Sequence, residues 1–118
     1  MPQRFQISQD SAANILLFTL PPILDSLEID GLIDSVLEQI DSKRDQGWVV
    51  DLSQVEYLGS SMLGLFVNMR ERIRQGGGML VLCGMSQQLL RIFKTCCLER
   101  LFVIVKTRGD AISQLSRR

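Results

Sequence analysis

The spacing of apolar residues changes several times along the chain, and each change marks an element. Residues 5–8 alternate apolar and polar, the period of a strand with one face in water. Ile15-Leu16-Leu17-Phe18-Thr19-Leu20 is a denser run, suited to a central strand buried on both faces. The polar Ser8-Gln9-Asp10-Ser11 between them predicts a hairpin turn. Pro21-Pro22 then ends the sheet, because proline cannot donate to a ladder. Ile29, Leu32, Ile33, Val36, Leu37 and Ile40 follow the spacing of one helix face, with Asp30, Asp34, Glu38 and Asp41 on the other side. Asp25 or Ser26 is positioned to cap that helix.

Trp48-Val49-Val50 restores the strand pattern, and Asp51 and Ser53 favour a turn after it. From Met62 the helix period returns. Met62, Leu65, Phe66, Met69 and Ile73 form one stripe, flanked by Leu63, Val67, Arg70 and Arg74, and Gly76-Gly77-Gly78 closes the helix. Residues 79–83 read as another buried strand, followed by a short helix with Leu89, Leu90, Ile92 and Phe93 inward. Leu98, Leu101 and Phe102 lead to a last strand at Val103-Ile104-Val105, and Gly109-Asp110 opens a final helix with Ala111, Ile112 and Leu115. The order ββαβαβαβα contains three strand–helix–strand units, which predict parallel pairing and right-handed crossovers. The fold class is α/β, one domain over residues 1–118.

Charge alters this picture only in its distribution. The 13 acidic and 13 basic residues cancel, which gives no overall attraction to nucleic acid. Residues 1–59 carry 10 acids and 3 bases, whereas residues 60–118 carry 3 acids and 10 bases. Solvated helix faces account for this asymmetry more simply than a two-faced surface. The acids on the first helix lack the glycine turn and converging oxygens of a calcium loop. There is no histidine, and Cys83, Cys96 and Cys97 have no metal-ligand or CxxC spacing. No metal or cofactor is expected, and the three cysteines read as buried, reduced thiols of a cytoplasmic protein. No apolar run approaches the roughly 20 residues that span a bilayer.

The candidate chemistry lies in WVVDLSQVEYLGSSMLG, residues 48–64. A strand runs into a loop and then into two hydroxyls, Ser60 and Ser61, at a helix start. Such a helix end leaves backbone N–H groups unpaired and accepts a capping hydroxyl or a phosphate. With no histidine to activate it, and no S-x-x-K spacing, Ser61 reads as a substrate and not as a nucleophile; the chain is not expected to be an enzyme. Helix capping is the plain structural alternative for both serines.

The ordered set from Trp48 to about Ile112 resembles the STAS domain of bacterial anti-sigma factor antagonists. That pattern has an apolar strand ending D-L-S, a bend into D-S-S-G-L-G, a helix ending Gly-Gly, an L-x-L strand, a short helix and a closing helix. The resemblance implies a STAS fold of about five mostly parallel strands in a mixed sheet with about four helices. It implies an anti-sigma factor antagonist that sequesters an anti-sigma factor serine kinase. Phosphorylation on Ser61, less so on Ser60, switches it off, and a PP2C-type phosphatase restores it. Gly59, Ser60, Ser61, Met62 and Leu63 become the expected partner-binding residues, with core packing as the alternative for Met62 and Leu63. Arg70 and Arg74 form a candidate basic ridge beside them, though compensation of the helix's negative end accounts for both arginines more simply. No direct nucleic-acid contact and no membrane span are implied, and the expected state is a monomer or weak homodimer. Gly59 stands where the family has Asp, Met62 where it has Gly, and Cys97 where it has a glycine before Leu98. A non-phosphorylated STAS scaffold subunit of a signalling or lipid-transport complex is the alternative reading.

Overall fold

A computed structural model describes residues 4–10, 13–20 and 24–117. Its elements are β1 (Phe5–Asp10), β2 (Ala13–Phe18), α1 (Ser26–Asp41), β3 (Gly47–Asp51), α2 (Ser60–Gln75), β4 (Met79–Cys83), α3 (Gln87–Thr95), β5 (Val103–Val105) and α4 (Arg108–Ser116). The five strands form one sheet in the order β1-β2-β3-β4-β5. β1 is antiparallel to β2, and the remaining pairs are parallel. The expected mixed, mostly parallel sheet with four helices is what the described residues form.

The topology decides which face each helix covers. Three successive crossovers step in one direction across the sheet, so right-handed connections place α1, α2 and α3 on the same face. Their inward residues share one core with Leu16, Phe18, Trp48, Val50, Leu80 and Leu82. The opposite face is covered by α4, whose Ala111 and Leu115 pack with Ala13, Ile15, Val49, Val81 and Cys83. The continuous apolar runs of β3 and β4 follow from this, since both faces of those strands are buried. β1 lies at the margin, where Phe5 and Ile7 pack against the core and Gln6, Ser8 and Asp10 face away from it. Four phenylalanines, Phe18, Phe66, Phe93 and Phe102, stack in sequence through the larger core, with centroids 5.6 to 6.4 Å apart.

Several local expectations are corrected. Ser8, Gln9 and Asp10 are paired strand and not turn, opposite Ile15, Asn14 and Ala13. Burial of Asn14 drives this extension: its side chain accepts from Gln9 Nε2 at 3.3 Å and donates to Gln46 Oε1 at 2.8 Å, satisfying a polar group inside the sheet. Ser11, Pro21 and Pro22 lie outside the described residues. Asp25, and not Ser26, caps α1 through a bond from Glu28 N–H. α4 begins at Arg108, one residue before Gly109, because the Thr107 hydroxyl caps it at Asp110 N–H. Leu90 is half-buried on α3 and outside the core that takes Leu89 and Phe93. Only Cys83 is buried; Cys96 and Cys97 are exposed past the end of α3. No helix among the described residues is long and apolar enough to cross a membrane.

Candidate functional site

The loop from β3 to α2 is pegged to the core at regular intervals. Leu52, Val55 and Leu58 are buried, while Ser53, Gln54, Glu56 and Tyr57 between them are exposed. Leu52 N–H donates to Cys83 O at 2.9 Å, prolonging the β3–β4 ladder, and Val55 N–H donates to Leu52 O at 3.1 Å. At the start of the loop Asp51 is 7% exposed, and its Oδ1 accepts from Ser53 N–H at 2.9 Å. Its Oδ2 accepts from both Nε and Nη2 of Arg108, at 3.2 and 2.7 Å. Burial pushes the Asp51 carboxyl up, but the bonds from Ser53 and the Arg108 guanidinium outweigh it and hold the group below its ordinary value. One carboxylate thus fixes the loop's first turn and ties it to the first residue of α4. Burial also pushes the neighbouring Cys83 thiol up, to about 11, helped by the Asp51 charge. Cys83 is therefore an inert thiol.

The far end of the loop delivers the two serines. Gly59 is the N-cap of α2 and offers no side chain to it. Leu63 N–H is the first to enter the helix, donating to Gly59 O at 3.0 Å. That leaves the N–H groups of Ser60, Ser61 and Met62 without intrahelical acceptors. Capping by either serine is not what the structure shows. Both sit inside the first turn, at its first and second positions, with exposed side chains.

Directly behind Ser61 the chain enters the core. Met62 is 3% exposed and Leu63 is buried, both within the larger hydrophobic cluster. Their side chains hold the helix start in place and do not form the presented surface expected of them. Gly59, Ser60 and Ser61 remain outward. Tyr57, at 51% exposure, is the large apolar group beside them, and its Cε1 lies 4.0 Å from where a Cβ on Gly59 would be. Tyr57 was missed because a lone tyrosine in a loop carries no sequence signal. The structure separates Arg70 from the expected ridge, since its Nε donates to Leu101 O at 2.6 Å and braces the turn before β5. Arg74 is exposed. No cluster of metal-ligating side chains occurs among the described residues.

Sheet order, helix placement and the loop–serine–helix site together define a class. A family model for the STAS domain matches residues 6–111, and the chain belongs to that family. It is 29% identical over 99 residues to the anti-sigma-B factor antagonist of Listeria monocytogenes, covering 84% of this chain and 78% of the relative. Among solved structures, an anti-sigma-factor antagonist (STAS) domain protein from Planctomyces limnophilus superposes with a TM-score of 0.84 at 18% identity, over 95% of this chain and 97% of the other. The Bacillus cell fate determinant SpoIIAA in its phosphorylated form gives a TM-score of 0.65 at 16% identity, over 93% and 97%.

Proposed function

We infer that this protein is an anti-sigma factor antagonist that sequesters an anti-sigma factor serine kinase and releases it when Ser61 is phosphorylated. The observation that carries this reading is the exposed, uncapped Ser61 hydroxyl on the first turn of a helix whose N–H groups are open. A kinase reaches such a hydroxyl without unfolding anything, and the phosphate formed meets the positive end of the helix dipole. The similarity to the Listeria antagonist and the phosphorylated state in which SpoIIAA is known support it. A PP2C-type phosphatase is the partner that resets the switch.

The surface proposed to meet the kinase consists of Tyr57, Gly59, Ser60 and Ser61, with Met62 and Leu63 supporting it from the core. An exposed aromatic ring beside small residues is the composition of an interface anchor. Incubation with the cognate kinase and ATP is expected to add one phosphate, located at Ser61 by mass spectrometry and abolished by Ser61→Ala. Full labelling of Ser61→Ala, with loss in Ser60→Ala, would reverse the assignment. Absence of labelling in the wild type, with the kinase bound, would favour the non-phosphorylated scaffold reading.

A further inference from the structure

Two thiols stand side by side on the surface, the second of them where the family pattern places a glycine. Cys96 caps the end of α3 and Cys97 follows it, and both are exposed. Neither belongs to a core cluster. Cys97 holds a left-handed φ of 58°, a conformation that disfavours any residue with a Cβ. Packing gives no reason for a cysteine there. The turn itself is fixed: Cys96 N–H donates to Ile92 O at 3.0 Å, Cys97 N–H to Lys94 O at 3.0 Å and Leu98 N–H to Phe93 O at 2.8 Å. Phe93 is fully buried, so these bonds tie the turn to the core.

Geometry and the groups that are missing decide what such a pair can hold. The peptide bond between the two is trans, so their Cα atoms lie about 3.8 Å apart. A disulfide needs roughly 4.4–6.8 Å, and the pair cannot close on itself without distorting the turn. One further atom between the sulfurs removes that conflict. Zinc in a structural site takes four ligands. The chain has no histidine, and the described residues hold no group of three metal-ligating side chains. The third thiol, Cys83, is 1% exposed in the core beneath α4, on the sheet face away from α3. A soft centre that two sulfurs satisfy is what remains. Trivalent arsenic with one carbon substituent is such a centre, because it has two valences left. The small ring closed by neighbouring residues also accommodates a bent bridge better than the straight S–metal–S line of a two-coordinate metal ion.

We propose that Cys96 and Cys97 form a dithiol site for a monosubstituted trivalent arsenical, with one arsenic atom bonded to both sulfurs. With an arsenical oxide, R–As=O, two As–S bonds form, the As–O bond breaks, and both thiol protons leave with the oxygen as one water. No electron changes hands, so no oxidant or reductant enters. Once the first sulfur is bonded, the second reacts within the same molecule, which raises retention roughly 10²–10⁴-fold over a single thiol. α2 and α3 both begin at the C-terminal edge of the parallel strands, so the end of α3 lies at the opposite edge from Ser61. The site is therefore independent of the function proposed above.

Native mass spectrometry of the full chain with one equivalent of phenylarsine oxide tests it. One adduct, formed with loss of one water, is expected. It is expected to survive excess monothiol and to be stripped by a dithiol, and a maleimide then counts two fewer free thiols than in the untreated protein. Cys96→Ser and Cys97→Gly each leave one exposed thiol and are expected to lose the adduct to monothiol roughly a hundredfold more readily. Thermal melts establish that both variants fold. A wild type that releases the arsenical at the same monothiol concentration as either variant overturns the proposal, because the two thiols then act separately. A wild type that equilibrates with glutathione disulfide to an internal Cys96–Cys97 disulfide overturns it too. Arsenite, with a third valence to fill, is expected to be retained at least tenfold more weakly; equal retention would mean a third ligand and sink the two-thiol site.

Discussion

Asp51 illustrates how one side chain sets local geometry and long-range docking together. One of its oxygens closes a turn with Ser53, and the other holds Arg108, 57 positions further on. The residue's turn-forming chemistry was legible in the sequence; its ion-pair partner was not, because nothing in local spacing links two residues so far apart. Asp51→Asn keeps the shape and removes the charge, leaving Arg108 with a neutral partner. A loss of about 1–3 kcal/mol is expected, the range for an impaired buried charge-assisted bond. The pH dependence has a defined sign. The folded carboxyl titrates below its ordinary 3.8, so the unfolded chain takes up the proton first. The stability it contributes is present above 3.8 and is lost as pH falls through the lower folded value. Urea unfolding at pH 7 and through this acid window checks it: wild type and Asp51→Asn are expected to differ most at pH 7 and converge in acid. Gly59 is the converse case, a position with room and no side chain. Its φ of −81° suits any residue, and a Cβ there has only Tyr57 Cε1, at 4.0 Å, nearby. Gly59→Asp, which supplies the family's carboxylate, is expected to cap α2 and raise stability by a few tenths of a kcal/mol.

Helix ends show how far element boundaries can be read from composition. α2 stops where Gly77 N–H bonds Arg74 O and Gly78 N–H bonds Ile73 O, with Gly77 at φ 84°. α3 stops by the same pair of bonds, Cys97 N–H to Lys94 O and Leu98 N–H to Phe93 O. Here the left-handed residue is Cys97, at φ 58°. The glycine run announced the first ending, whereas the second was hidden because cysteine is not a left-handed residue by preference. The family's glycine at this place now has a reason in the backbone. Since Cys97 is exposed and packs into no core, Cys97→Gly is expected to stabilise the protein by about 1 kcal/mol. Gly77→Ala, at the matching position of α2, is expected to destabilise it by a similar amount. Thermal melts of both variants check the pair, and a loss of stability in Cys97→Gly would contradict the assignment. Periodicity predicted every element, because each helix buries one stripe and each inner strand two faces. It failed at the β1–β2 turn, where the polar Ser8, Gln9 and Asp10 continue the ladder. Polar residues at a margin strand look like turn residues, since that strand has one wet face.

At the scale of the whole molecule, the modification proposed for Ser61 is one that changes recognition and leaves the fold alone. The site was legible as a strand, loop and hydroxylated helix start, and Met62 fell on the apolar stripe of the helix; the burial of Leu63, placed on the flank of that stripe, was not legible, because the first turn of α2 packs over a wider arc than one stripe. That burial anchors the first turn of α2 in the same core as α1 and α3. A phosphate on Ser61 adds roughly −1.5 to −2 charges at neutral pH. On the protein's side the charge faces open N–H groups and the positive dipole end, worth about 0.3–1 kcal/mol in its favour. On the partner's side the same charge must be stripped of water or repelled, and about 1.4 kcal/mol already lowers affinity tenfold. In the proposed switch, binding weakens while folding does not. Ser61→Asp carries one charge at the same position of α2, so its melting temperature is expected to match or exceed wild type by about 1–4 °C. Its affinity for the anti-sigma kinase is expected to fall at least tenfold. Tyr57→Ala is expected to weaken the same complex at least tenfold with little change in melting temperature, because the ring is half in water. Calorimetric titration and thermal melts of the two variants separate the effects. A Ser61→Asp protein that loses both binding and many degrees of stability would mean that the switch works by unfolding the helix start.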